Sequence, residues 1–136
     1  MSLEKIFVQA GHVFSRTGDP CDFGCDESSV PEMIAYVKEH QPSYPYCVIA
    51  DWVWIDINVK PEVLKQFNER GLKPSFIYAH KVIDDEAQRP FEFVRTTYLK
   101  NFLENCIFLS RNTAYILQGQ GTRLSIDPDV FNAVFS

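Results

Sequence analysis

"YCVIADWVWIDINV", residues 46–59, decides the fold. Val53, Ile55, Ile57 and Val59 alternate with Trp52, Trp54, Asp56 and Asn58. A period of two belongs to a strand, because successive side chains point to opposite faces of a sheet. The phase breaks near Asp51, which predicts a bulge or a tight turn splitting the run. The valines and isoleucines form the core face. The other face mixes indoles with Asp56 and Asn58, and carboxylates are seldom buried. That face is either covered by a helix or open as a contact surface. Trp and Tyr dominate binding hot spots, so Trp52, Trp54 and Asp56 are the expected protein-contact residues.

Helices flank this strand. Before it, Ser29 and Glu32 fit an S-x-x-E capping box, Pro31 suits a first turn, and Val30, Met33, Ile34 and Val37 share a helical face. Pro42 and Pro45 stop that helix. After it, "KPEVLKQFNERG" predicts a second helix, opened by Pro61, facing inward through Val63, Leu64 and Phe67, and closed by Gly71. "EKIFVQ" reads as a short strand at the start, and residues 16–29, rich in Gly, Pro, Asp and Ser, read as an exposed loop. From residue 74 to about 126 strands and turns prevail: "SFIYAHKVI" (75–83), "FEFVRTTY" (91–98), and a hairpin of "CIFLS" and "TAYILQ" turning near Ser110–Asn112. "LKNFLEN" fits a helical turn or a strand end. Gly119 and Gly121 supply positive φ for a further reversal into "TRLSI", making a hairpin at the sheet's margin rather than a phosphate loop, since no helix follows. Asp127 and Pro128 start a terminal helical turn. The expectation is an α+β domain over residues 1–136, with two helices packed on a twisted, mainly antiparallel sheet.

Composition narrows the function classes. The chain has 136 residues, 46% hydrophobic and 14% aromatic, and carries a net charge of −5. This describes a packed globule and disfavours a nucleic-acid binder, which usually has a basic balance. Residues 1–30 hold two basic against five acidic side chains, whereas residues 87–123 hold five basic against two acidic. No apolar run approaches the ~20 residues of a membrane span, and the N-terminus lacks a secretory pattern. A cytoplasmic chain with reduced thiols is expected, in which Cys47 and Cys106 act as small core residues.

"YAHKV" at 78–82 and "RNTAYILQGQGTR" at 111–123, with the strand and short helix beginning at residue 46, resemble segments of a family of small uncharacterised bacterial proteins. The resemblance covers residues 44–124. It implies membership without chemistry. It also implies a setting like that of prophage or mobile-element proteins, with an accessory or counter-defence role.

Arg95, Arg111 and Arg123 lie on neighbouring strands or turns. They either pair with Glu92, Glu104 and Asp127, or converge with Tyr78 and His80 on one anion, since guanidinium forks grip carboxylate or phosphate bidentately. "CDFGC", with Cys21 and Cys25, lacks the second ligand pair that a zinc site needs. Cys106, His80 and Asp51 form a nucleophilic set only if the fold assembles them, and no local motif supports that. No cofactor and no metal is expected. The sequence points to a non-enzymatic binding protein acting through a protein partner, with an anion-binding domain or enzyme using the arginines as the alternative.

Overall fold

In the computed structural model, which describes residues 2–136 and leaves Met1 outside the described residues, the chain opens on a helix. This is α1 (Leu3–Ser15), where the sequence predicts a strand. Ser2 Oγ accepts the Lys5 N–H at 3.3 Å and caps it. Ile6, Ala10 and Val13 form its buried stripe. The window "EKIFVQ" is too short to reveal that 3.6-residue period, which emerges only when Val13 is included.

The next elements are β1 (Asp19–Cys21), a 3₁₀ turn (Glu27–Ser29), α2 (Val30–His40), β2 (Tyr46–Ile57), α3 (Pro61–Glu69) and β3 (Ser75–Asp85). Then come β4 (Val94–Arg95), β5 (Asn101–Leu103), β6 (Ile107–Leu109), β7 (Ala114–Leu117) and β8 (Gly121–Ile126). Finally α4 (Pro128–Val130) runs into a π turn (Phe131–Phe135). Ser29 makes no side-chain cap bond, so the expected capping box does not form; the 3₁₀ turn leads into α2 instead. The expected exposed loop at 16–29 is partly strand, with Cys21 buried.

β2 is one unbroken strand of 12 residues. β3 pairs antiparallel along one side of it. On the other side, β7 runs parallel beside 46–49 and β8 runs parallel beside 53–57. The fork falls at Asp51, which takes a left-handed φ of 50°. That residue adds one step to the pleat. Cys47 and Ile49 therefore face the same side as Trp52 and Trp54, while Val48 shares the other side with Val53, Ile55 and Ile57. The break in phase is real, but it bends the strand and does not split it.

The expected fold class is corrected accordingly. Four helices accompany a curled, mixed sheet of eight strands, not two helices on a mainly antiparallel one. The reversal expected at Gly119 and Gly121 does not occur either, since β7 and β8 both run parallel to β2. Gly119 does use a left-handed φ of 74°. Gly121 is there for space: a Cβ at this position would lie 2.3 Å from the Trp52 ring.

One face of the sheet carries the helices, with Ile6, Val13, Val53, Ile55, Phe76 and Phe131 in one cluster and Val30, Val37, Val48 and Ile116 in another. The other face curls around a core of its own, built on Ile49, Trp52, Trp54, Ile77, Phe108 and Leu117.

Candidate functional site

The curl settles where the indoles go. Trp52 is 1% exposed and Trp54 4% exposed. Trp54 meets Phe23, Phe102 and Phe108 at ring centroid distances of 5.1, 5.0 and 5.4 Å. Trp52 Nε1–H donates to the Gly119 carbonyl at 3.2 Å. Asp56 is part-buried and holds its neighbours together. It accepts from Trp54 Nε1 (3.1 Å), Ser75 Oγ (2.7 Å) and Arg123 Nε (2.7 Å). The expected indole contact surface at Trp52, Trp54 and Asp56 is thus corrected to a second core, closed by the sheet's own far strands and by Phe23. Burying indoles this way satisfies both their area and their N–H.

Strand register separates the three arginines. Arg123 lies opposite Trp54, which lies opposite Ile77; Arg95 lies opposite Tyr78. These rows differ by one residue, so Arg123 and Arg95 project from opposite faces of the sheet. Arg123 is occupied by Asp56, bonding it through Nε and also through Nη2 at 3.4 Å, and it lies 5.4 Å from the Trp54 ring centre.

Arg95 and Arg111 do come together. Both line a cavity of about 460 Å³ with Thr97, Asn112, Leu72, Tyr98, Phe131 and Ser136. Neither has a carboxylate within ion-pair distance among the described residues. Arg95 makes one long bond, from Nη1 to the Thr96 carbonyl at 3.5 Å. Arg111 sits in the β6–β7 turn, which Ser110 pins: its Oγ donates to the Thr113 carbonyl and accepts the Thr113 N–H, both at 3.1 Å. A second cavity of about 650 Å³ adjoins it, sharing Arg95, Thr97 and Asn112 and lined also by Phe91, Phe93 and the buried Tyr115. Arg89, at its end, is a structural cation. It grips Asp85 through Nε (2.7 Å) and Nη2 (3.2 Å), and reaches Thr113 Oγ1 at 3.4 Å. Burial alone would push the Asp85 carboxyl up. The Arg89 guanidinium and the backbone N–H groups of Ala87 and Arg89 outweigh burial and hold it below the usual carboxylate range.

Tyr78 and His80 do not join the arginine cavity. Tyr78 belongs to an aromatic surface that the sequence reading missed. It stacks on Phe93 at 5.9 Å and meets the edge of Phe14 at 5.3 Å; Phe14 in turn lies 5.9 Å from Phe135. Phe14 is 46%, Phe91 49% and Phe93 58% exposed. The clue was the spacing Phe91, Phe93, Arg95. All three line the second cavity, although the chain bends at residues 92 and 93 before β4 begins. His80 lies 4.9 Å from the Tyr78 ring, and its enclosed Nε2 has no hydrogen-bond partner among the described residues.

The cysteines do not assemble a nucleophile. Leu117 N–H donates to the Cys106 carbonyl, and Leu117 pairs with Ile49, which pairs with Val82. Cys106 is therefore three strand spacings, roughly 14 Å, from Val82, and His80 lies two residues further along β3. Asp51 faces Arg16 at 3.5 Å instead. Cys106 and Cys25 are free thiols, and burial pushes that of Cys106 up to about 12. Cys25 is raised as well, by burial first, and Cys21 lies in the interior core. No three His, Cys, Asp or Glu side chains gather as a metal-ligand group among the described residues. No helix among them is long and apolar enough to cross a membrane.

The fold and these surfaces describe an α+β domain with a buried indole core, an open aromatic face and an arginine-lined groove. Residues 22–133 match the model of a family described as a domain of unknown function, DUF6957, and the chain belongs to that family. No curated protein and no solved structure matches it. The matched span contains Phe91, Phe93, Arg95 and Arg111, whereas Phe14 lies before it.

Proposed function

We propose that this protein is a non-catalytic binding module that holds a protein partner against the face formed by Phe14, Tyr78 and Phe93. The observation that carries the reading is the adjacency of these rings while Phe14 and Phe93 stay open to water. Scattered exposed apolar residues need no explanation, but a contiguous aromatic patch drawn from α1, β3 and the segment before β4 is what an interface requires. A lipid surface fits less well. Interfacial helices carry Lys and Arg along the polar face, whereas α1 offers Lys5 alone, already paired with Asp127 (3.2 Å) and Asp129 (3.0 Å). An accessory or inhibitory role in the cytoplasm of a bacterial host, of the kind the resemblance to mobile-element proteins implies, is the form this reading takes.

The test compares affinity purification from the native host using the wild-type chain and a Phe14→Ser/Phe93→Ser variant. Both side chains are exposed, so the thermal unfolding midpoint should change little. Loss of a reproducible partner from the variant is expected. Recovery of the same proteins by a folded variant refutes the reading.

A further inference from the structure

We propose that the cavity between Arg95 and Arg111 is a binding site for a small oxyanion carried on an apolar body, an organic carboxylate or phosphate ester. Arg16, Arg89 and Arg123 each face a carboxylate at 3.5, 2.7 and 2.7 Å. Arg95 and Arg111 face none among the described residues, and they open into the same space. No acidic side chain lines that cavity. Glu92 borders only the neighbouring one. Two guanidinium groups with no carboxylate at ion-pair distance among the described residues give the cavity a positive field. The chain's net charge of −5 opposes it only weakly, because exposed charges beyond the Debye length of ~8 Å are screened at physiological salt.

The surrounding chemistry defines the rest of the ligand. The Thr97 hydroxyl and the Asn112 amide add donors beside the guanidinium forks, while Leu72, Tyr98 and Phe131 supply an apolar wall. Tyr98 and Phe131 stack at 5.8 Å, which fixes that wall. A volume of about 460 Å³ suits a small organic molecule and far exceeds a bare inorganic anion. Both arginines are anchored at the backbone. Arg95 pairs in register with Tyr78 of β3, and Arg111 rides the turn that Ser110 pins. The backbone is then already in place when the anion arrives, and only the guanidinium side chains remain to be ordered. The site meets the aromatic face at Arg95, which borders both cavities, but Leu72, Tyr98, Arg111 and Phe131 belong to this cavity alone, and the proposal stands whether or not that face binds a partner.

The full ¹⁵N-labelled chain is titrated with phenyl phosphate, phenylacetate and inorganic phosphate, and amide shifts are followed. The expected result is saturable movement of the Thr97, Arg111 and Asn112 amides with either organic anion. Inorganic phosphate should bind at least about tenfold more weakly, for want of the apolar wall's contribution. Whichever organic anion binds tighter identifies the head group as phosphate or carboxylate. Arg95→Gln and Arg111→Gln should each weaken binding by about tenfold or more, the scale of a charge-assisted hydrogen bond. Arg123→Gln, on the opposite face, should stay within about twofold. Amide spectra of each variant verify the fold. The proposal is overturned by no saturation up to about 10 mM of either organic anion, by equal affinity for inorganic phosphate, or by affinities that folded arginine variants leave unchanged.

Discussion

Gly121→Ala adds one methyl group where the structure has no room for it. The new Cβ would stand 2.3, 2.4 and 2.5 Å from three carbons of the Trp52 ring, whereas ordinary contact begins at 3.4 Å. The indole must retreat by about 1 Å, or β8 must slide off β2. Trp52 is 1% exposed, so it has nowhere to retreat without displacing Leu117 or Ile49 of its own cluster. Overpacking of this kind costs about 1–3 kcal/mol, and the tightness of the contact argues for the upper end. Straining the Trp52–Gly119 hydrogen bond adds about 1 kcal/mol. The stiffer unfolded chain returns about 0.5 kcal/mol. A net loss of about 3 kcal/mol follows, which lowers the urea midpoint by roughly 1–2 M at a typical slope. The decisive measurement is a double-mutant cycle with Trp52→Leu. In that background the ring is gone and Gly121→Ala should cost less than about 1 kcal/mol. A loss below about 0.5 kcal/mol in the wild type, or equal losses in both backgrounds, would refute the claim that Gly121 exists to seat Trp52.

Asp51→Val forces a β-branched residue into the left-handed region at the fork and should destabilise by about 1–2 kcal/mol, while Asp51→Asn stays within about 0.5 kcal/mol, both read by urea unfolding. The folded-state depression of the Asp85 carboxyl contributes stability that is full above the ordinary carboxylate range of about 4 and is lost as pH falls through the lower folded value. Asp85→Asn should therefore flatten the acid side of the stability–pH curve below about pH 4; an unchanged acid slope contradicts the assignment. Burial pushes the Cys47 and Cys106 thiols up to about 12, so at neutral pH iodoacetamide should modify neither in the folded chain and both in urea, as mass spectrometry of peptides would show.

The sequence disclosed what local patterning controls. The apolar face of α2, Pro61 at the start of α3 and the alternation in β2 need only neighbours within a few residues, and each forms an element in the structure. It disclosed the phase break at Asp51 as well. It could not disclose what that break accomplishes, because the fork depends on β7 and β8, some 60 residues later in the chain. Parallel pairing leaves no turn signal, so the glycines at 119 and 121 read as a reversal. Asp56 and Asn58 made the indole face look wet. A salt bridge to Arg123 and bonds from Ser75 and Trp54 let that carboxylate sit beside the core, and Arg123 and Ser75 are distant in sequence. The convergence of Arg95 with Arg111 and the departure of Arg123 rest on row parity across paired strands, which one strand read alone does not reveal.

The outermost strands β1, β4 and β5 are three, two and three residues long. Residues 92–99 shield much of the outer flank of β3 through backbone bonds such as Thr96 N–H to Ile77 C=O and Leu99 N–H to Ser75 C=O. Margins this short give an incoming extended peptide almost no ladder to join, so β-augmentation is closed to this molecule, and so is the fibril growth that long bare rims invite. Whatever it recognises must be gripped by side chains.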